Sequence, residues 1–385
     1  MVAFAIDMGY ICHARTELQR TADCCALAAV AKLPNLDMAL CAAQTAAQEN
    51  RGSCSPELRD ADFEVGYWNR YTATFQTAPP TGKSVNAVRV TVRRTTATGN
   101  PLKLFFANLI DVRKSDVTSS AIAMYDRGSC GPFIGIDWID VIGSPIMDSY
   151  NSDFGFYDPA NAGYRSGICS DGPIKVGGDS LIQGNAMAGK GKTITVANNS
   201  TVTGKIGNRR KPLNLAPVDA SQAATTNDNH KVPKVRRGNK WVSLVDNQNN
   251  FLLNSTDEIT LPSGTYYFKD FDVNGQSILN VNGTVRIYLT GDLKRAGGTQ
   301  VNNLSAIPSD LKIYMTGGKA SVTSTNNFHG IIYAPNTQVT VNGSSGYFGV
   351  IVGKTLTKGG SAGGHYDESL DMELDEFPKR ITLVN

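Results

Sequence analysis

Four histidines and a thin scatter of carboxylates are the residues of this chain with the means to do chemistry. His365 is followed by Asp367 and Glu368, residue types that serve as metal ligands or as an acid/base set. On a strand, His365 and Asp367 would share a face, because side chains alternate with a period of two. A polar end-cap is the plainer account and is preferred. Asp270 and Asp272 would also share a face, as paired carboxylates do in glycoside hydrolysis. Two solvated residues beside a turn explain them more simply, and Asp257, Glu258, Asp292 and Asp310 are scattered. His13 falls on an N-terminal helix, His230 in a basic stretch, and His329 at a place equivalent to His365 in a repeat. GKGKT from 189 and GGKASVT from 317 look like phosphate loops, but neither has the G-x-x-x-x-G-K-[ST] spacing leading into a helix. Arg209, Arg210 and Lys211, with the basic run 234–240 and Trp241, could bind an anionic polysaccharide or DNA. A solvated loop is the preferred reading. No catalytic, cofactor-binding or metal-ligating residue is therefore assigned.

The bulk composition points the same way. Charged residues make up 18% of the 385 and the net charge is +3, which gives no strong attraction to nucleic acid or acidic membranes. Seven cysteines, at 12, 24, 25, 41, 54, 130 and 169, contain no C-x-x-C pair, which argues against zinc. Two pairings suit an oxidising compartment, Cys41 with Cys54 and Cys130 with Cys169. Each would stabilise the fold by ~3–4 kcal/mol in the chain-entropy model. The alternative is that all seven are small buried apolar residues. No run of about 18 apolar residues is present, so no complete membrane-spanning helix is expected. The chain starts inside an apolar segment, MVAFAI, which reads as the end of a longer anchor.

The elements that would carry these residues differ between the two parts of the chain. Residues 2–33 read as a helix, with Ile11, Leu18, Cys25, Ala29 and Leu33 at spacings of four or seven, stopped by Pro34. A second, Ala-rich helix spans about 37–50, with Asp37 as cap and Gly52 as stop. Residues 62–69 and 86–93 read as strands, the latter alternating Val88, Val90 and Val92 with Arg89, Thr91 and Arg93. Asn100-Pro101 would open a short helix through PLKLFFANLI, and 115–125 reads as a further strand.

Three segments in order carry a family likeness: YICHARTELQRTADCCALAAV at 10–30 after the apolar stub, NAVRVTVRR from 86, and GNPLKLFFANLI followed by DVTSSAIAMYDRG. Over about residues 1–130 the chain resembles the Tad (Flp) pilus-assembly proteins of the TadE/TadG type. The resemblance implies a non-enzymatic bacterial envelope protein, membrane-anchored or pilus-associated and extracytoplasmic. Its helix would pack with other pilus subunits in the inner membrane or a filament core, and homo- or hetero-oligomers are open.

Beyond 170 the chain repeats itself. VRIYLTG at 285–291 recurs as LKIYMTG at 311–317, and FHGIIYAPN from 328 recurs loosely from 347, with Gly330 matching Gly349 and Gly343 matching Gly360. Repeats of this length mean stacked units that share one core. The expected fold class is α+β: a long helix with a small pilin-like α+β unit, then a right-handed parallel β-helix, with a β-sandwich as the alternative. The expected layout is a helical segment over 1–52, an α+β domain over 53–128 and a connector over 129–170. A repetitive domain follows over 171–370, with a basic surface loop at about 205–250, and then a cap or tail over 371–385. The function expected is a component of a Tad/Flp pilus system displaying its β domain for adhesion or surface attachment, with no cofactor. The alternatives are a secreted β-helix enzyme that degrades polysaccharide and a glycan- or DNA-binding surface module.

Overall fold

Helix α1 (Val2–Val30) opens the chain and α2 (Leu36–Glu49) follows it; the computed structural model describes residues 2–33, 35–50, 58–69, 72–79, 85–126, 130–324, 326–371 and 380–384. Ala14, Leu18, Ala22, Cys25, Ala26 and Ala29 of α1 are buried at spacings of three and four, so one stripe of mostly small side chains faces the core. The cap of α2 is Asn35 and not Asp37: the Asn35 side chain accepts the Met38 N–H at 3.0 Å, and Asp37 lies in the first turn beside the positive helix end. Pro34, Gly52 and Cys54 lie outside the described residues, as does the expected bridge from Cys41 to Cys54.

Two compact units are present, one of residues 1–128 with 379–385 and one of residues 129–378. In the first, α1 packs on α2 and on an antiparallel sheet. The sheet runs β2 (Thr74–Gln76), β1 (Phe63–Asn69), β3 (Ala87–Arg94), β6 (Val117–Asp126) and then the C-terminal strand Arg380–Val384. Val88, Val90 and Val92 of β3 are buried as their alternation predicts. The opposite face is held by ion pairs, Arg89 with Glu64 and Arg93 with Asp62, each at 2.6 Å. The expected helix after Pro101 does not form. Instead β4 (Leu102–Lys103) pairs with β5 (Lys114–Ser115), and only Ala107–Ile110 makes a short 3-10 turn. The reason is tertiary. Buried Asp7 on α1 accepts the N–H groups of Phe105, Phe106 and Ala107 at 2.6–2.9 Å, which fixes the loop against local helix preference. The C-terminal strand, in the segment expected as a cap or tail, pairs with β6 from Arg380↔Asp126 to Val384↔Ile122.

The second unit is built on an extended parallel sheet, which excludes the antiparallel sandwich. Its registers are the sequence repeats. Val285 pairs with Leu311 and Leu289 with Met315. Phe328 pairs with Tyr347 and Gly330 with Gly349, and past a register shift Gln338 pairs with Thr355. Each strand thus lies beside its own repeat, and Val, Ile, Leu and Phe stack into a continuous core. Stack order is not chain order. Strands within 133–208 form one stretch of ladder and strands within 251–367 another. They join where Phe133–Val141 pairs with Tyr347–Lys358 and Ile146–Tyr150 pairs with Gly364–Asp367. The segment expected as a connector is therefore the rung at this junction, and its two-sided burial hides its period. Cys130 and Cys169 are disulfide-bonded there, with a Cα–Cα distance of 5.3 Å.

The segment 209–250 is ordered, not a free excursion. Arg209 pairs with Asp171 at 2.6 Å, and Leu213, Leu215 and Val218 cover an outer apolar row that includes Tyr314, Tyr333 and Val352. The Tyr333 hydroxyl donates to the Ala216 carbonyl at 2.6 Å, and Asn229 exchanges side-chain hydrogen bonds with the Tyr267 backbone. The segment is a strap running along the stack.

Candidate functional site

A buried polar cluster lies on the junction rung. Strand pairing places His365 opposite Asp148, and His365 Nδ1 lies 2.6 Å from Asp148 Oδ1. The Tyr157 hydroxyl donates to the other carboxylate oxygen at 2.6 Å, and its ring lies 4.1 Å from the imidazole. Phe348 flanks the imidazole from the neighbouring rung at 4.6 Å, and His329 stacks on Phe348 at 4.3 Å. Parallel pairing at like positions thus piles His329, Phe348, His365 and Asp148 into one ladder. Burial, with the nearby His365, pushes His329 down to about 4, so it is neutral at pH 7.

The trio read from sequence does not converge. His365 pairs with Asp148, Asp367 Oδ1 accepts the backbone N–H groups of Ser152 and Ser369, and Glu368 accepts from Ser149 Oγ and pairs with Arg165. Arg165 also pairs with Asp371 at 2.5 Å. A Cβ placed on Gly363 would lie 2.3 Å from His365 Nε2, so the chain passes close beside the imidazole only because this position is glycine. Among the described residues no group of three or more His, Cys, Asp or Glu is placed to hold a metal. The run Gly359-Gly360-Ser361-Ala362-Gly363 has the G-x-S-x-G spacing, but it turns between two strands where a nucleophile elbow turns into a helix. The cluster is a latch between rungs. Sequence reasoning missed Asp148 and Tyr157 because they lie more than two hundred residues before His365 and reach it only through the junction.

The other candidates are likewise occupied by structural bonds. Asp270 Oδ1 accepts the Asp292 N–H at 2.7 Å, and Asp272 accepts from the Asn274 side chain. In the basic segment, Arg209 is bound to Asp171, Arg237 to Asp257 and Asn254, and Lys231 to Asp228. Trp241 is exposed on a hairpin opposite Arg236. His13 lies 3.8 Å from Glu17 on α1, and His230 sits in a single 3-10 turn. GKGKT lies in a turn before the strand Ile194–Val196, and GGKASVT leads into the strand Lys319–Ser324. Neither has the strand-to-helix setting of a phosphate loop.

The first unit offers a different kind of surface. Beside Asp7, the side chains of Phe4, Ile6 and Met8 are exposed on α1, and the loop that Asp7 clamps exposes Phe105, Leu109 and Ile110. Tyr10 joins the two at 5.4 Å from the Phe105 ring. The family comparison falls on this unit. A family described as Flp pilus-assembly TadE/G-like matches residues 1–32, and one described as Tad-like Flp pilus-assembly matches residues 20–123. The N-terminal unit is that of a Tad pilus-assembly protein, TadE/TadG-like. A third family, Domain of unknown function (DUF7305), matches residues 269–373, and the strands of that stretch belong to the parallel stack. No curated protein and no solved structure matches the chain significantly. The two matches support a pilus-related role and a place at the cell envelope. No helix among the described residues is long and apolar enough to cross a membrane.

Proposed function

We propose that the protein is a non-enzymatic subunit of a Tad/Flp pilus system, acting in pilus assembly or as a minor pilin-like component, and that it displays the second unit outside the cell for adhesion or surface attachment. The observation that carries this reading is α1 itself. Its small-residue stripe is committed to the sheet of the first unit, while its first turns leave Phe4, Ile6 and Met8 exposed to a neighbour or a bilayer. The parallel stack, read here as a right-handed β-helix, suits display, because repeated short-range rungs make a stiff rod with few loose loops. A carbohydrate-degrading activity has no support from Asp270 or Asp272, whose carboxylates hold backbone and side-chain donors.

Deleting the gene and counting surface pili and attached cells tests the proposal. Loss of both, with piliation but not attachment restored by a chain lacking residues 129–378, is the expected result. Unchanged piliation and attachment in the deletion strain would sink it.

A further inference from the structure

The exposed apolar loop of the first unit belongs neither to the α1 stripe nor to the displayed stack. Leu109 is 83% exposed, Phe105 65% and Ile110 60%, the first and last on the short turn Ala107–Ile110 and Phe105 just before it. Large apolar side chains this exposed, side by side, mark a surface that is covered in use. Two further features say by what. Lys103, Arg113 and Lys114 stand at the base of the loop, all exposed, Lys103 and Lys114 on the two strands that carry it and Arg113 just before the second, 3.4 Å from the exposed Asp111 carboxylate. An apolar tip above a basic collar matches a bilayer interface, where the tip enters the acyl boundary and the cations meet anionic headgroups. The second feature is the backbone. A turn entering a bilayer must satisfy its N–H groups without water. Here the Asp7 carboxylate already takes those of Phe105, Phe106 and Ala107, and Asp7 is itself buried.

We propose that the loop 104–112 is a membrane-interface wedge for an anionic leaflet, clamped to the first turns of α1 by Asp7. Phe4, Ile6 and Met8, which flank Asp7 in the chain, would enter the same interface. This rests on the envelope location of the protein and adds a second contact with lipid that does not depend on a membrane-spanning segment. An Asp7 clamp also couples the two contacts, since the loop cannot leave the interface without the start of α1.

The test is flotation of the full-length protein with phosphatidylcholine vesicles, with and without phosphatidylglycerol. The wild type should float with the anionic vesicles, and the variant carrying Leu109→Glu and Ile110→Glu should bind at least about tenfold more weakly. Because both side chains are solvent-exposed, its thermal unfolding should be unchanged, which separates lost binding from lost fold. A Leu109→Trp variant should shift its emission to the blue on adding anionic vesicles, and Arg113→Glu with Lys114→Glu should abolish the preference for phosphatidylglycerol. Equal flotation of the double Glu variant and the wild type would overturn the proposal. So would loss of self-association, with no change in flotation, because the loop would then be covered by a second copy. Piliation of the deletion strain is read separately, so failure of the wedge leaves the pilus role standing.

Discussion

Single buried groups on the junction rung have separable consequences. Asp148 is nearly inaccessible and keeps only the Tyr157 hydroxyl if His365 is removed. His365→Ala should therefore lower unfolding stability by about 2–3 kcal/mol, as stripping a hydrogen-bond partner from a buried carboxylate does, with the loss read from urea unfolding at pH 7. His329 supplies the pH dependence. Its folded pKa is depressed to about 4 from 6.5, so between those values the unfolded chain binds a proton that the folded chain does not. Stability from this group is complete above 6.5 and is lost as pH falls toward 4. A His329→Phe variant, which keeps the stack on Phe348, should show a shallower loss over that window. An equal slope in variant and wild type would remove His329 as the cause. Lys358 is a quieter case. It is fully buried, donates to the Ala362 carbonyl, and is pushed by burial down to about 8.

Element by element, legibility followed how local each signal was. The Val alternation of 86–93 and the spacing of α1 lie within single elements, and both elements formed where they were read. The repeats were legible because a parallel stack writes its register into the sequence: matching Gly330 to Gly349 is the same statement as their pairing. That pair also gives a prediction. Gly349 has φ +131, and a Cβ there would lie 2.1 Å from the Gly330 carbonyl oxygen, so rungs approach through two glycines. Gly349→Ala should destabilise the second unit by about 2 kcal/mol or more, seen as a lowered unfolding midpoint, whereas Gly191→Ala, where a Cβ meets nothing within 4 Å, should pay only backbone strain. What could not be read was set by distant partners. Residues 102–110 have helical composition, and a carboxylate about a hundred positions away decides their shape. The strap 209–250 looked like loose polar chain because Leu213, Leu215 and Val218 find their apolar row only after the stack exists.

At the scale of the whole molecule, the junction and its disulfide belong together. The strand 133–141 must meet 351–358, a contact of high sequence separation that folding makes late and slowly. The Cys130–Cys169 bond holds a 39-residue stretch of that rung together, and chain entropy puts its worth at about 4 kcal/mol. Cys130→Ala with Cys169→Ala should lower the denaturant midpoint accordingly, with the first unit's helical signal retained. A midpoint unmoved would show that strand pairing alone closes the rung. One further arrangement concerns time. The C-terminal strand Arg380–Val384 completes the sheet of the first unit against β6, yet the second unit lies between them in the chain. During synthesis β6 waits with an open edge until the second unit has been translated, and an unpaired edge invites aggregation. A product broken off anywhere in the second unit would keep that edge exposed. The sheet of the first unit thus closes only on chains that the ribosome has carried past the second.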